Sequence, residues 1–114
     1  MQELEETLRN DLSQIGLNVD FILKIRGYSK TYFGRYDPNI NTVTLYVFVN
    51  KKGDLYPYLD ILLTAIHEVI HCKQWSDPKF RRIKGVMHDV EFKQMYNVYS
   101  DRAKSLNLLK SLRS

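Results

Sequence analysis

His67-Glu68-Val69-Ile70-His71 is the stretch from which the rest of the chain is read. Residues four apart on a helix lie one above the other on the same face, so both imidazoles can reach one metal ion. Glu68 follows the first histidine directly, and its carboxylate can reach a water on the open side of that ion, where hydrolysis needs a general base. The five residues sit in a longer helical segment from about Tyr58 to Trp75. In it Leu59, Leu62, Leu63, Ile66 and Ile70 form an apolar stripe at helical spacing. Asp60, Thr64, His67 and His71 follow one another along a different face. The stripe needs a sheet or a second helix to bury it, and the flanking sequence supplies both.

Upstream, Leu4, Leu8, Leu12 and Ile15 recur at intervals of three and four before Gly16, which predicts an amphipathic helix over residues 3–15. From Leu17 the period changes to two, through Val19, Phe21, Leu23 and Ile25, and predicts a first strand that Gly27 ends. A short second strand is expected over Thr31 to Tyr36, with Asp37-Pro38-Asn39 as the turn of a hairpin. Thr42 to Val49 is the clearest strand, with Val43, Leu45, Val47 and Val49 on one face and Thr42, Thr44, Tyr46 and Phe48 on the other. Pro57 is tolerated in a first helical turn, so the metal helix should begin beside it. Downstream, Ser76-Asp77-Pro78 breaks that helix, and Lys79-Phe80-Arg81-Arg82-Ile83-Lys84-Gly85 reads as a basic loop. Asp89 can cap a final helix whose stripe is Phe92, Met95, Tyr96, Tyr99, Ala103 and Leu106, with fraying beyond about Leu109.

Composition bounds the rest. A chain of 114 residues, 44% hydrophobic with eight Tyr and five Phe, is expected to be one globular domain over residues 1–114. No apolar run approaches the roughly 20 residues that span a bilayer, and Met1 to Asn10 is acidic and amphipathic, unlike a secretory leader. The sole cysteine, Cys72, cannot pair within the chain. It points about 100° away from His71 around the helix and reads as small core filler. A cytoplasmic monomer is the expectation. The net charge of +4 makes a polyanionic partner such as DNA a candidate.

Catalytic zinc usually takes three protein ligands and keeps a fourth position open, so the helix pair demands one more donor. His88, Asp89, Glu91 and Cys72 are the candidates. His88, at the mouth of a helix after a loop that can fold back, is favoured over Glu91, which lies about one turn inside that helix.

With Gly85-Val86-Met87-His88-Asp89-Val90-Glu91-Phe92, the helix motif resembles the SprT-like zinc metallopeptidases. Gly34-Arg35-Tyr36-Asp37 and the strand from Thr42 resemble the segment before the helix in that family, so the likeness covers roughly residues 34–96. The resemblance implies His67, His71 and His88 as metal ligands, Glu68 as the catalytic glutamate and Phe92 as a packing residue. Asp89 stands where the family usually has Gly, and the four-cysteine zinc ribbon of many bacterial members has no counterpart. The implied fold class is α+β and zincin-like: an N-terminal helix, a small three-stranded, mostly antiparallel sheet, the active-site helix and a C-terminal helix.

The expected function is therefore zinc-dependent hydrolysis of peptide bonds in a protein or peptide substrate, with Glu68 as the base for a water acidified by Zn2+. DNA-associated or crosslinked proteins are a candidate substrate class. Tyr96, Tyr99, Arg81 or Arg82 could donate to the oxyanion. Substrate is expected to pair with Thr42 to Val49 as an edge strand. Lys79, Arg81, Arg82 and Lys84 form a candidate nucleic-acid contact with neighbouring Trp75. Two alternatives compete: a different small gluzincin with Glu91 as third ligand, and a non-catalytic basic binding or structural protein that keeps a zinc site for stability.

Overall fold

Leu8 and Leu12 bury one face of α1 (Gln2–Gln14), which ends as anticipated at Gly16. The Gly16 N–H donates to the Ser13 carbonyl at 3.0 Å and the Leu17 N–H to the Leu12 carbonyl at 2.9 Å, a paired closure that satisfies the last carbonyls of the helix. The computed structural model describes residues 2–76 and 90–113. The expectations that fall on the basic loop, His88 and Asp89 lie outside these residues. After α1 come β1 (Ile22–Tyr28), β2 (Gly34–Asp37), β3 (Thr42–Phe48), α2 (Tyr58–Ser76) and α3 (Val90–Arg113). The architecture is α+β, three helices with a small mixed sheet.

The strand order is β1-β3-β2, which corrects two expectations. β3 pairs parallel with β1, from Ile22 opposite Thr42 to Tyr28 opposite Phe48, and antiparallel with β2, from Gly34 opposite Leu45 to Asp37 opposite Thr42. The sheet is thus mixed and not mostly antiparallel, and Thr42–Phe48 is its centre and not an edge. The physical reason lies in composition. β3 is an unbroken β-branched and aromatic run that can hydrogen-bond on both sides, whereas exposed Lys24, Arg26 and Arg35 mark β1 and β2 as the edges. The hairpin over Asp37–Asn41 forms as anticipated, with Asn41 left-handed at φ 46° and its side chain donating to the Asp20 carbonyl.

Strand limits shift for reasons of pairing. β1 begins at Ile22 and not Leu17 because its partner begins at Thr42, and Leu17 is buried without joining the sheet. It also runs through Gly27 instead of ending there. A Cβ on Gly27 would lie 2.9 Å from the Phe48 ring, so the missing side chain lets that ring cover the strand. β2 starts at Gly34 and not Thr31, because the Thr31 and Tyr32 amides donate to the Ser29 hydroxyl in a turn.

The core lies between sheet and helices. Val43, Leu45 and Val47 of β3 face Leu62, Ile66, Val69 and Ile70 of α2, and α3 covers α2 with Phe92 and Ala103. The stripe anticipated for α3 is largely buried or packed on this core. The expected fraying beyond Leu109 does not occur: α3 runs to Arg113, and Lys110 bonds both oxygens of buried Asp11 at 2.7 Å. Tyr58 donates to the same carboxylate at 2.6 Å, so one acid ties α1 to the start of α2 and the end of α3.

Two measurements test this packing. A Cβ on Gly34 would lie 2.8 Å from Thr64 Cγ2 and 3.2 Å from the Thr44 carbonyl, so Gly34→Ala must push β2 away from α2. Denaturant unfolding should show a loss of about 1–3 kcal/mol, part of it restored by adding Thr64→Ser, which removes the nearer atom. Equal loss with and without Thr64→Ser would show that the contact is not the cause. The second concerns pH. Burial, the Cys72 thiol and then Asp37 push the Tyr36 phenol up to about 12, and burial with the Asp11 carboxylate pushes Tyr58 above the usual tyrosine range. Both phenols hold their proton more tightly folded than unfolded. Their stabilisation is complete below the unfolded value of 10.0 and is lost as pH rises through it toward about 12. Unfolding free energy should fall over that window, less steeply in Tyr58→Phe, and an unchanged slope in that variant would contradict the account.

Candidate metal centre

α2 is an unusual helix in that its middle is buried almost all round. Glu68, His71, Cys72 and Gln74 are buried alongside the apolar residues, while His67 is half-buried. The sheet takes one side of α2 and α3 another, and the polar residues occupy the groove that remains. A buried polar group without a partner costs on the order of 1–3 kcal/mol, so these side chains must bond to other groups of the chain or to a ligand.

They do the first in a way that prepares the second. His71 Nδ1 lies 2.9 Å from Gln74 Oε1. An amide oxygen only accepts, so Nδ1 carries the proton and the lone pair is on Nε2. His67 Nδ1 lies 2.8 Å from Glu68 Oε2, and the same reasoning puts its lone pair on Nε2. The rings are 4.8 Å apart, nearly perpendicular at 82°. Phe92 of α3 wedges against both: its ring stacks on His71 at 4.6 Å and meets His67 edge-on at 5.0 Å. Tyr96, one turn on, lies 6.1 Å from the His67 ring. α3 thus holds the rotamers that α2 presents.

Donor atoms of His67, Glu68 and His71 lie within 4.8 Å of one another. Two imidazoles and a carboxylate at that distance could hold a metal ion, and hydrogen-bond partners that fix the histidine tautomers are the usual companions of such ligands. Among the described residues no other group of three such side chains converges. Glu91, the alternative third ligand, is exposed at the start of α3 and stands outside the group. His88 lies outside the described residues, as do Lys79, Arg81, Arg82 and Lys84. Trp75 is 45% exposed at the end of α2. Cys72 is fully buried with Sγ 3.4 Å from Asn41 Oδ1, which fits filler and not a ligand.

The site opens into a cavity of about 610 Å³ between α2, the start of β2 and Tyr96. His67 and Glu68 line it together with Tyr32, Phe33, Tyr56 and Asp60. Sequence reasoning put Asp60 on the histidine face of the helix but missed Tyr32, Phe33, Tyr56 and Gln74. Gln74 had a readable signal, since it stands three positions after His71 on the same helical face. The wall has no such signal, because Phe33 and Tyr56 meet edge-on at 5.6 Å only when the segment after β3 folds back, with the Tyr56 amide donating to the Val47 carbonyl. Compared with protein-family models, with curated proteins and with solved structures, the chain matches none.

If Gln74 orients His71 for a metal, Gln74→Ala should lower zinc affinity by about 10–100-fold with the fold retained. Competition with a chromophoric chelator measures it. Unchanged affinity would remove Gln74 from the site.

Proposed function

We propose that this chain is a zinc-dependent peptidase of the SprT-like kind, with His67 and His71 as ligands, His88 as the third and Glu68 as general base. The observation that carries the reading is the convergence of His67, Glu68 and His71, with His67 and Glu68 lining a cavity beside a sheet edge. A structural zinc site is usually closed by four protein ligands, whereas donors opening into a cleft suit a substrate.

Bound zinc supplies Lewis acidity, which makes a water acidic near neutral pH and polarises a carbonyl. The chain's own residues do the remainder. Glu68 keeps one oxygen on His67 Nδ1, and its other oxygen accepts the proton of the attacking water and returns it to the leaving amine. Gln74 and Phe92 hold His71 in the orientation the ligand set needs. Tyr96, which lines the cavity 6.1 Å from the His67 ring, donates to the developing oxyanion. Tyr99 packs one turn further on against Arg102, at 5.4 Å, and does not line it. An extended peptide pairs with the outer edge of β2, since β3 is enclosed by both neighbours. The net charge of +4 and the cations Lys79, Arg81, Arg82 and Lys84 favour proteins bound to DNA as substrates.

Glu68→Gln conserves shape and loses the base. Hydrolysis of an unfolded protein by the zinc-loaded chain should fall by roughly 10²–10⁴-fold while zinc content and unfolding midpoint stay within error. Retained hydrolysis in that variant would exclude Glu68 as the base.

A further inference from the structure

Resting on the peptidase reading, we propose that the cavity beside the metal centre is a specificity pocket for a long cationic side chain, Lys or Arg, with Asp60 as its counter-ion. Asp60, Thr64 and His67 follow one another along one face of α2, and all three line the cavity. Seven residues of helix put Asp60 about 10 Å from His67 along the axis. That span accommodates an extended lysine or arginine side chain whose backbone is at the metal end. The rings of Tyr32, Phe33 and Tyr56 line the same cavity.

Two features select a cation over a plain apolar group. The first is charge. On a chain of net charge +4, the cavity lining holds two carboxylates, Asp60 and Glu68, and no Lys or Arg among the described residues. Glu68 is committed to His67, whereas Asp60 is exposed and makes no ion pair among the described residues. A lone carboxylate at one end of an apolar-walled cleft focuses its field into that cleft. It also stands in the first turn of α2, where the helix's partial positive charge would otherwise repel a cation. The second feature is the wall. Aromatic rings attract ammonium and guanidinium groups, and Phe33 and Tyr56 offer them here, whereas the Tyr32 ring is engaged by the Arg35 guanidinium at 5.4 Å. The methylene stem of Lys or Arg packs on the rings while its head reaches the carboxylate.

The experiment measures peptide binding to the zinc-loaded Glu68→Gln protein, so it does not depend on turnover. Peptides that differ only in one residue, Lys, norleucine or Phe, are compared by calorimetry. Norleucine keeps the stem of lysine and lacks its ammonium. Lys should bind roughly tenfold tighter than norleucine, and Asp60→Asn should reduce that ratio to within about twofold, with Asp60→Glu restoring part of it. A carboxylate that served only to stabilise the start of α2 would change unfolding and leave the ratio intact. Norleucine or Phe binding as tightly as Lys, a Lys preference that survives Asp60→Asn, or no binding of any peptide would each overturn the proposal. If the pocket selects Lys but the wild-type chain cleaves nothing, the peptidase reading fails and the pocket stands.

Discussion

Glu68, His71 and Gln74 are polar groups in the buried middle of a helix, and the requirement that each be satisfied constrains everything around α2. Sheet and α3 take the apolar faces of the helix. Gln74 answers His71 and Glu68 answers His67, and the ring nitrogens that carry the lone pairs are the ones a metal would use. Phe92 and Tyr96 follow from the same constraint. The Phe92 ring packs on buried His71 and edge-on against half-buried His67 without competing for their nitrogens.

The sheet's part is to place β2 and the cavity. Because β3 occupies the centre, the short β2 is left as the edge beside α2, and Gly34 lets it approach Thr64 closely enough to bring Tyr32 and Phe33 to the cleft. Asp11 does a comparable service at the other end of the helices, where Tyr58 and Lys110 meet on one carboxylate. Both arrangements connect segments distant in the chain, and both set the angle at which α2 presents its histidines.

That distance in sequence explains what could and could not be read beforehand. The helix pattern at Tyr58 to Trp75, the stop at Gly16, the β3 faces and the α3 stripe are local periodicities, and each is present in the structure at nearly the expected limits. Strand order is not local. Period-two segments state which side chains share a face but not which strand lies beside which, so the parallel pairing of β1 with β3 had no signature. Strand limits failed for a related reason, because Leu17 to Phe21 alternates yet has no partner across from it. Within the site, His67, Glu68, His71 and the shared face of Asp60 were legible from spacing alone, whereas Phe33 and Tyr56 meet only through tertiary folding.

The central claim is that the lone pairs of His67 and His71 converge on one metal ion at the end of the cleft. Anomalous diffraction at the zinc edge from zinc-loaded crystals tests it most directly. One peak per chain is expected, about 2.0–2.1 Å from Nε2 of His67 and of His71. A peak elsewhere, or none between these two nitrogens at saturating zinc, would contradict the account.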